Sequence, residues 1–389
     1  MLTLIVAGPV IGLAGTDLVL PAIPTLHEDL PGTLSSSQLV LAAFTAGAGL
    51  GLLCFGELGA RYSQYRLLLI GLLFYGLFSY IATLAPSIMS LSGVRFFQGF
   101  AASAPAVFAP GMIRRLFDER GAMRAMGLVG SIESMVPAFA PILGAWMITR
   151  YHWQATFYLT ALLSALLLML WLFNRPPVAK QAPRAEQGYL YLLRSGRFMR
   201  YALSHAFALG GLIAFVFGAP TIMVHSMGGS LSDFIIMQIS GITLFAVAAN
   251  SAHLIVDRIG QERTLFLGSG LAATGMFCLL LYGLWFDDHV PAMVWPLFAI
   301  VNLGIGIRGP GGFYMAMVAS NHNDARATAV LVLTMFALTA AITALVAPFI
   351  NQGLVPLTTA CSAACCCSLL VMSMIPGLPD QSQVASLDE

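Results

Sequence analysis

Twelve apolar runs of about 20 residues follow one another along the chain, each closed by a short polar break. A helix rises about 1.5 Å per residue, so a run of that length crosses a hydrocarbon core of about 30 Å. In the first half the runs fall at roughly 2–23, 37–57, 66–86, 87–112, 123–148 and 155–174. In the second they fall at roughly 199–223, 232–254, 264–286, 291–316, 327–351 and 354–376. The longest polar stretch, Arg175 to Arg197, lies between the sixth and seventh runs and carries Pro176, Pro177, Lys180, Pro183 and Arg184. The pattern predicts an all-α polytopic membrane protein of twelve transmembrane helices in two six-helix bundles. Its parts are residues 1–174, a cytoplasmic linker at 175–198, residues 199–376 and a cytoplasmic tail at 377–389. A β-barrel would show short alternating segments instead.

Composition agrees, with 58% hydrophobic and 9% charged residues where a soluble domain carries about 25% charged. The net charge of +1 conceals an asymmetry. With the N-terminus inside, the inner breaks collect Arg61, Arg66, Arg114, Arg115, Arg120, Arg124, the linker, Arg258, Arg263 and Arg326. The outer breaks hold Arg150 together with Glu28, Asp29, Asp233, Asp287 and Asp288. This positive-inside pattern predicts a multi-pass inner-membrane protein with both termini cytoplasmic. The first run lacks a basic leader and carries Asp17, so no cleavable signal is expected. A weak repeat links the halves: Gly56-Glu57-Leu58-Gly59-Ala60-Arg61 after the second run, and His253-Leu254-Ile255-Val256-Asp257-Arg258-Ile259-Gly260 after the eighth.

The charges inside the apolar runs carry the chemistry. Asp17 stands in Thr16-Asp17-Leu18-Val19-Leu20-Pro21-Ala22-Ile23-Pro24, just before a Pro-x-x-Pro exit. A charge at that depth costs at least roughly 2.5–3.5 kcal/mol by insertion scales, so it calls for a partner or a task. Arg95 lies in the fourth run, in Arg95-Phe96-Phe97-Gln98-Gly99. A buried guanidinium stays protonated and needs an anion or several acceptors. Both residues lie about 9 positions from the outer end of their runs, roughly 13 Å deep at ~1.5 Å per residue, which makes Asp17 the expected partner of Arg95. The pair reads as a static tie between two helices or as a protonatable carboxylate tuned by the arginine; the second is favoured. Glu133, in the fifth run beside Ser131 and Ser134, reads as a second proton site, a counter-charge for a cationic substrate, or a neutral acid hydrogen-bonded within the bundle. Arg308 lies in the glycine-rich Gly304-Ile305-Gly306-Ile307-Arg308-Gly309-Pro310-Gly311-Gly312 of the tenth run. It reads as a partner for Glu133, a site for an anionic substrate group, or an arginine snorkelling to the cytoplasm.

Twelve spans in two halves with the repeated loop element resemble the major facilitator superfamily over essentially the whole chain. The Thr16–Pro24 stretch resembles the first-helix signature of its drug:proton antiporters, particularly the bicyclomycin/chloramphenicol-resistance type. Arg95-Phe96-Phe97-Gln98-Gly99 resembles the family's R-x-x-Q-G element, and Trp153-Gln154-Ala155-Thr156-Phe157 its W-R-x-x-F start to the sixth span. Gly127, Pro141 and Gly144 keep the skeleton of the antiporter motif G-x8-G-x3-G-P-x2-G-G, with Val136, Ala140 and Ala145 elsewhere in it. The loop pattern G-x-L-a-D-R-x-G-R-K retains Arg61 in the first half but has Ala60 for Asp. The second-half copy keeps Asp257, Arg258 and Gly260. In the family's terms these are gating positions, with the second-half copy the stronger inner latch and the first held more weakly, or by Glu57.

The resemblance implies a proton-coupled secondary transporter working by alternating access. It would exchange protons for a small amphipathic or apolar compound, most directly in drug or metabolite efflux. The same-fold alternative is a proton-coupled importer of a metal chelate, peptide or other small metabolite. Asp17, Arg95 and Glu133 are the proton-coupling candidates. Phe44, Gln98, Met135, Gln238, Asn302, Arg308 and Phe336 are the substrate-cavity candidates, and Arg61, Pro141, Gly144, Asp257, Arg258 and Gly260 the gating ones. His205, His225 and His253 sit near run ends and are expected at the interface. Cys361, Cys365, Cys366 and Cys367 are expected to ease helix packing rather than to hold a metal. Phe215, Phe217 and Phe245 read equally as packing, lipid-facing or pocket residues. No nucleotide-binding loop, nucleophile with its base, or nucleic-acid-binding patch stands out. No enzyme, cofactor or nucleic-acid partner is therefore expected, only substrate, protons and lipid around a monomer.

Overall fold

The computed structural model describes residues 1–174, 188–286 and 290–377. Among them twelve helices are long and apolar enough to cross a membrane, and no strand occurs. They are α1 (Leu2–Asp17), α2 (Leu34–Arg61), α3 (Gln64–Ala82), α4 (Ile88–Leu116), α5 (Glu119–Arg150) and α6 (Gln154–Phe173). Then come α7 (Gly196–Thr221), α8 (Leu231–Ile259), α9 (Gln261–Trp285), α10 (Pro291–Ala319), α11 (Asp324–Val346) and α12 (Leu354–Met374).

Every helix falls where an apolar run places it, but several extend further because capping groups, invisible to hydropathy, set their ends. Thr33 Oγ1 accepts from Ser36 N at 3.1 Å and Ser36 Oγ from Thr33 N at 2.8 Å, a reciprocal capping box that starts α2. Ser87 and Ser90 start α4 in the same way, and Ser230 with Asp233 starts α8. Asp118 Oδ1 accepts from Gly121 N at 3.0 Å and starts α5. The stretch read as a linker also contains a short helix, Tyr189–Arg194. Its Pro176, Pro177, Lys180, Pro183 and Arg184 lie outside the described residues, as do Asp287, Asp288 and the tail from 378.

The chain forms two compact units. The first comprises Met1–Ala125, Val129–Gly188 and His322–Ala329; the second comprises Met126–Leu128, Tyr189–Asn321 and the chain from Val330. In the first, α4 packs on α1, α2 and α3, and α6 on α1 and α3. In the second, α10 packs on α7, α8 and α9, and α12 on α7 and α9. Each pairing recurs six helices later, so the repeat faint in the loops is explicit in the packing.

Lipid tails are as apolar as leucine, so close van der Waals approach rather than burial holds such helices together. Small residues supply it. A Cβ on Gly47 would overlap Phe96 O, and one on Gly99 would overlap Phe44 O, which places the α2 and α4 backbones against each other. Gly306 does the same for α10 on α8 at Phe245 O, and Gly268 for α9 on α10 at Gly304 O. Asn302 belongs to this packing: its Nδ2 donates to Phe298 O at 3.0 Å, and Gly241 leaves room for it. Cys361 and Cys365 are buried in the apolar core of the second unit with Phe215, Met276 and Phe298.

Candidate functional site

The proline signature breaks α1 where its carboxylate stands. Pro21, four residues beyond Asp17, has no amide hydrogen, so the helix loses a bond there. The chain tightens before it: the Val19 amide bonds three residues back, to Thr16 O at 3.2 Å, and a 3-10 turn follows at Leu20–Ala22. Asp17 is therefore the last residue of α1, and the Gly15 carbonyl is left without its amide four residues on.

Arg95 supplies the missing donor. It is fully buried in the first unit, and its Nη1 donates to Gly15 O at 3.1 Å and to Gln98 Oε1 at 2.7 Å. Nε reaches Val40 O at a long 3.5 Å. The guanidinium lies 4.2 Å from the Phe44 ring centroid and 5.7 Å from that of Phe157, within cation–π range of both. Gln98 Nε2 donates to Ser79 Oγ at 2.7 Å, and Ser79 Oγ to Tyr75 O at 2.7 Å. Tyr75 Oη returns to α1, donating to Ile11 O at 3.1 Å. Four helices thus converge on the broken end of α1, and α5 adds a fifth: Gly144 packs directly on Leu18 O, where a Cβ would overlap.

The expected Asp17–Arg95 ion pair is not formed. Asp17 makes no side-chain hydrogen bond among the described residues, and its Oδ2 is buried without a partner, as is Arg95 Nη2. Depth arithmetic places the two groups at one level but cannot see that the unwinding of α1 exposes a nearer acceptor, Gly15 O. The result is a carboxyl and a guanidinium, each with an unused atom, and the arginine resting two residues along α1 from the acid.

The other candidates are dispersed. Phe44 and Gln98 belong to the Arg95 network and are buried. Glu133 is half-buried on α5 without a hydrogen bond among the described residues, while Ser134 bonds back to Ser131 O at 2.8 Å. The hydrogen bonds expected of a neutral Glu133 within its bundle are not formed among the described residues. Met135 and Phe336 are exposed, and Gln238 is half-buried. Arg308 is buried in the second unit and donates to Ser204, so it does not snorkel. His205 and His253 are buried, not interfacial. A run end by hydropathy can lie well within a packed helix, as His205 does in α7.

At the other end of the first unit, one turn before Arg61, stands Glu57. Its carboxylate binds Arg326 through two oxygens, at 2.7 and 2.9 Å, and also pairs with Arg61 one turn on. Arg114 pairs with Asp324 at 3.0 Å. Asp257 and Arg258 lie exposed at the end of α8, where Gly260 takes a φ of +84° to turn the chain into α9. Arg326 and Asp324 are not among the sequence candidates; their clustering in Asn321-His322-Asn323-Asp324-Ala325-Arg326 is the available signal. Arg326 is almost wholly buried, so Glu57→Gln should destabilise the protein by about 1–3 kcal/mol, the range for a charged hydrogen bond lost. In thermal unfolding, Glu57→Gln and Arg326→Gln together should cost less than the sum of the two; strict additivity would show that the pair is not coupled.

Comparisons with known proteins fit this architecture. A sequence profile described as Major Facilitator Superfamily matches residues 5–344. The chain is 25% identical over 274 residues to the bicyclomycin resistance protein homolog of Haemophilus influenzae, covering 68% of this chain and 69% of that protein. It is 27% identical over 296 residues to a chloramphenicol resistance protein of Pseudomonas aeruginosa, covering 75% and 70%. A crystal structure of the transporter FucP in the outward conformation superposes with a TM-score of 0.75 at 14% identity, over 96% of this chain and 97% of that one.

Proposed function

Because the chain belongs to the Major Facilitator Superfamily, we propose that it is a proton-coupled secondary transporter exporting a small amphipathic or apolar compound by alternating access. The observation that carries this is the Asp17 carboxyl at the broken end of α1, without a side-chain partner among the described residues, two residues along α1 from the Gly15 carbonyl that holds Arg95. When Asp17 carries a proton, nothing draws the guanidinium from Gly15 O and Gln98. When the proton leaves, the carboxylate competes for Arg95, and the Gly15 carbonyl and Gln98 lose a donor. Proton binding thus selects between two arrangements of α1 against α3, α4 and α5, the bistability that alternating access requires. One charge crossing 100 mV is worth about 2.3 kcal/mol, enough to bias that choice.

The relatives' names attach to bicyclomycin and chloramphenicol resistance, and compounds of that kind are the first substrates to try. The arginine distribution favours both termini on the cytoplasmic side of the inner membrane, and a monomer suffices. The test is proton flux in everted vesicles with an imposed pH gradient, on adding chloramphenicol or bicyclomycin. Compound-dependent proton efflux with compound uptake into the everted lumen is expected. Compound moving with the protons instead would make the protein an importer.

A further inference from the structure

The hydrogen bonds behind Arg95 run in a single direction. A guanidinium donates and never accepts, so the Gln98 amide turns its Oε1 to Nη1, which it meets at 2.7 Å. Its Nε2 then faces α3, where it needs a lone pair. Ser79 Oγ accepts from it at 2.7 Å and donates its one hydrogen to Tyr75 O, also at 2.7 Å. Successive bonds of one polarity strengthen one another, so the hydroxyl that draws on Nε2 makes Oε1 the better acceptor. Arg95, Gln98 and Ser79 are each 0% exposed, and no bulk solvent replaces a lost partner.

Among the described residues the other acceptors of Arg95 are backbone carbonyls, Gly15 O and Val40 O, whose places the helices set. Gln98 is the one side-chain acceptor, and its long side chain is free to turn unless its far end is held. Ser79 Oγ is what holds it. Without that oxygen the amide nitrogen is buried and unpaired, which is costly, and the side chain turns to recover a partner. In turning it carries Oε1 off the guanidinium.

We propose that Ser79 is a positioning residue of the coupling site: it holds Gln98 as an acceptor for Arg95 and so sets how readily a deprotonated Asp17 draws the arginine away. This role rests on the proton-coupled function proposed above. With the Ser79 oxygen removed, Arg95 passes more easily to the carboxylate, and Asp17 keeps its charge to lower pH. Tyr75 enters the same network from α3, with its hydroxyl on Ile11 O at 3.1 Å. The remaining charged groups stand apart from the exchange. Glu57 and Arg61 of α2, Arg66 of α3, and Arg114 and Arg115 of α4 lie toward the opposite ends of those helices. On α5, Glu133 is about three turns from Gly144, and Arg150 is exposed at the helix end. α6 carries no charged residue, and its Tyr158 turns to Tyr80, with ring centroids 6.2 Å apart. Beyond Pro24, His27 is half-buried, and Glu28 and Asp29 are exposed.

The experiment follows the protonated-carboxyl infrared band of the purified full-length protein across a pH series, with no substrate present. The part of that band missing from Asp17→Asn belongs to Asp17. In Ser79→Ala its midpoint should fall by about one pH unit, a tenfold change in proton affinity. Ser79→Thr keeps the hydroxyl and should keep the unmodified midpoint. Gln98→Leu should lower the midpoint as Ser79→Ala does, and the double variant no further than Gln98→Leu alone, because Ser79 acts through the amide. A merely structural serine would lower the melting temperature in Ser79→Ala and leave the midpoint where it was. An unmoved midpoint in Ser79→Ala, an alanine-like shift in Ser79→Thr, or a double variant showing both shifts in full would overturn this role while Asp17 still titrates. A band identical in Asp17→Asn and the unmodified protein at every pH would instead overturn the coupling function itself, and the role of Ser79 with it.

Discussion

Vesicles carrying Asp17→Asn should move no more substrate under an imposed pH gradient than vesicles lacking the protein. Asparagine keeps the size of the side chain and its place at the end of α1 but can neither bind nor release a proton. In the present arrangement the Asp17 side chain makes no hydrogen bond among the described residues, so the substitution removes no side-chain hydrogen bond. The variant should therefore fold normally and bind substrate at equilibrium much as before, with only the link to the gradient cut. Counterflow, which exchanges labelled for unlabelled substrate without net proton movement, separates the two possibilities. Retained counterflow with lost gradient-driven transport is the expected pair of results. Transport at the unmodified rate under the gradient would make Asp17 structural and leave Glu133, which lies within α5 without a hydrogen bond among the described residues, as the carrier to test.

The number and placement of the spans are legible because hydrophobic runs of membrane length have few other readings. Their ends are not, since Thr33, Ser87, Asp118 and Ser230 cap backbone amides through side-chain oxygens that a hydropathy window counts as mere polar breaks. At the site, the charges announce themselves, because Asp17 and Arg95 are costly where they stand. Their relation does not. It depends on a carbonyl freed by the tightening of α1 before Pro21, and on Gln98, Ser79 and Tyr75 carrying the arginine's hydrogen bonds back to α1. Of these only Gln98 stands out in the sequence, because a serine or tyrosine in an apolar run looks no different when it is a link in a network. Glu57 shows the same limit from the other side. Sequence offers it as a stand-in for the aspartate missing at Ala60, but its bidentate hold on Arg326 joins residues 269 apart in the chain.

Replacing Arg95 should separate the fold from the coupling. Its guanidinium serves Gly15 O and Gln98 Oε1 through one nitrogen and approaches Val40 O through another, a fork that lysine cannot reproduce. Arg95→Lys keeps the charge between Phe44 and Phe157 but leaves at least one buried acceptor without a donor, at about 1–3 kcal/mol each. On the proposed mechanism it should retain part of the transport, with the pH optimum displaced, because the charge for which a deprotonated Asp17 would compete now sits on a single mobile ammonium. Arg95→Met removes the charge while filling much the same space, so the cost of the lost donors is offset by the relief of burying a cation. Buried ionic groups replaced by well-packed apolar ones often leave stability unchanged or raised. A methionine side chain has nothing to exchange between Gly15 O and Asp17, so transport should vanish in Arg95→Met while the melting temperature stays near that of the unmodified protein. If Arg95 were only a tie between helices, the order would invert: Arg95→Met would unfold readily, and whatever protein survived would still transport with an unaltered pH profile. Paired melting curves and pH-dependent transport for Arg95→Lys and Arg95→Met distinguish a switch from a strut.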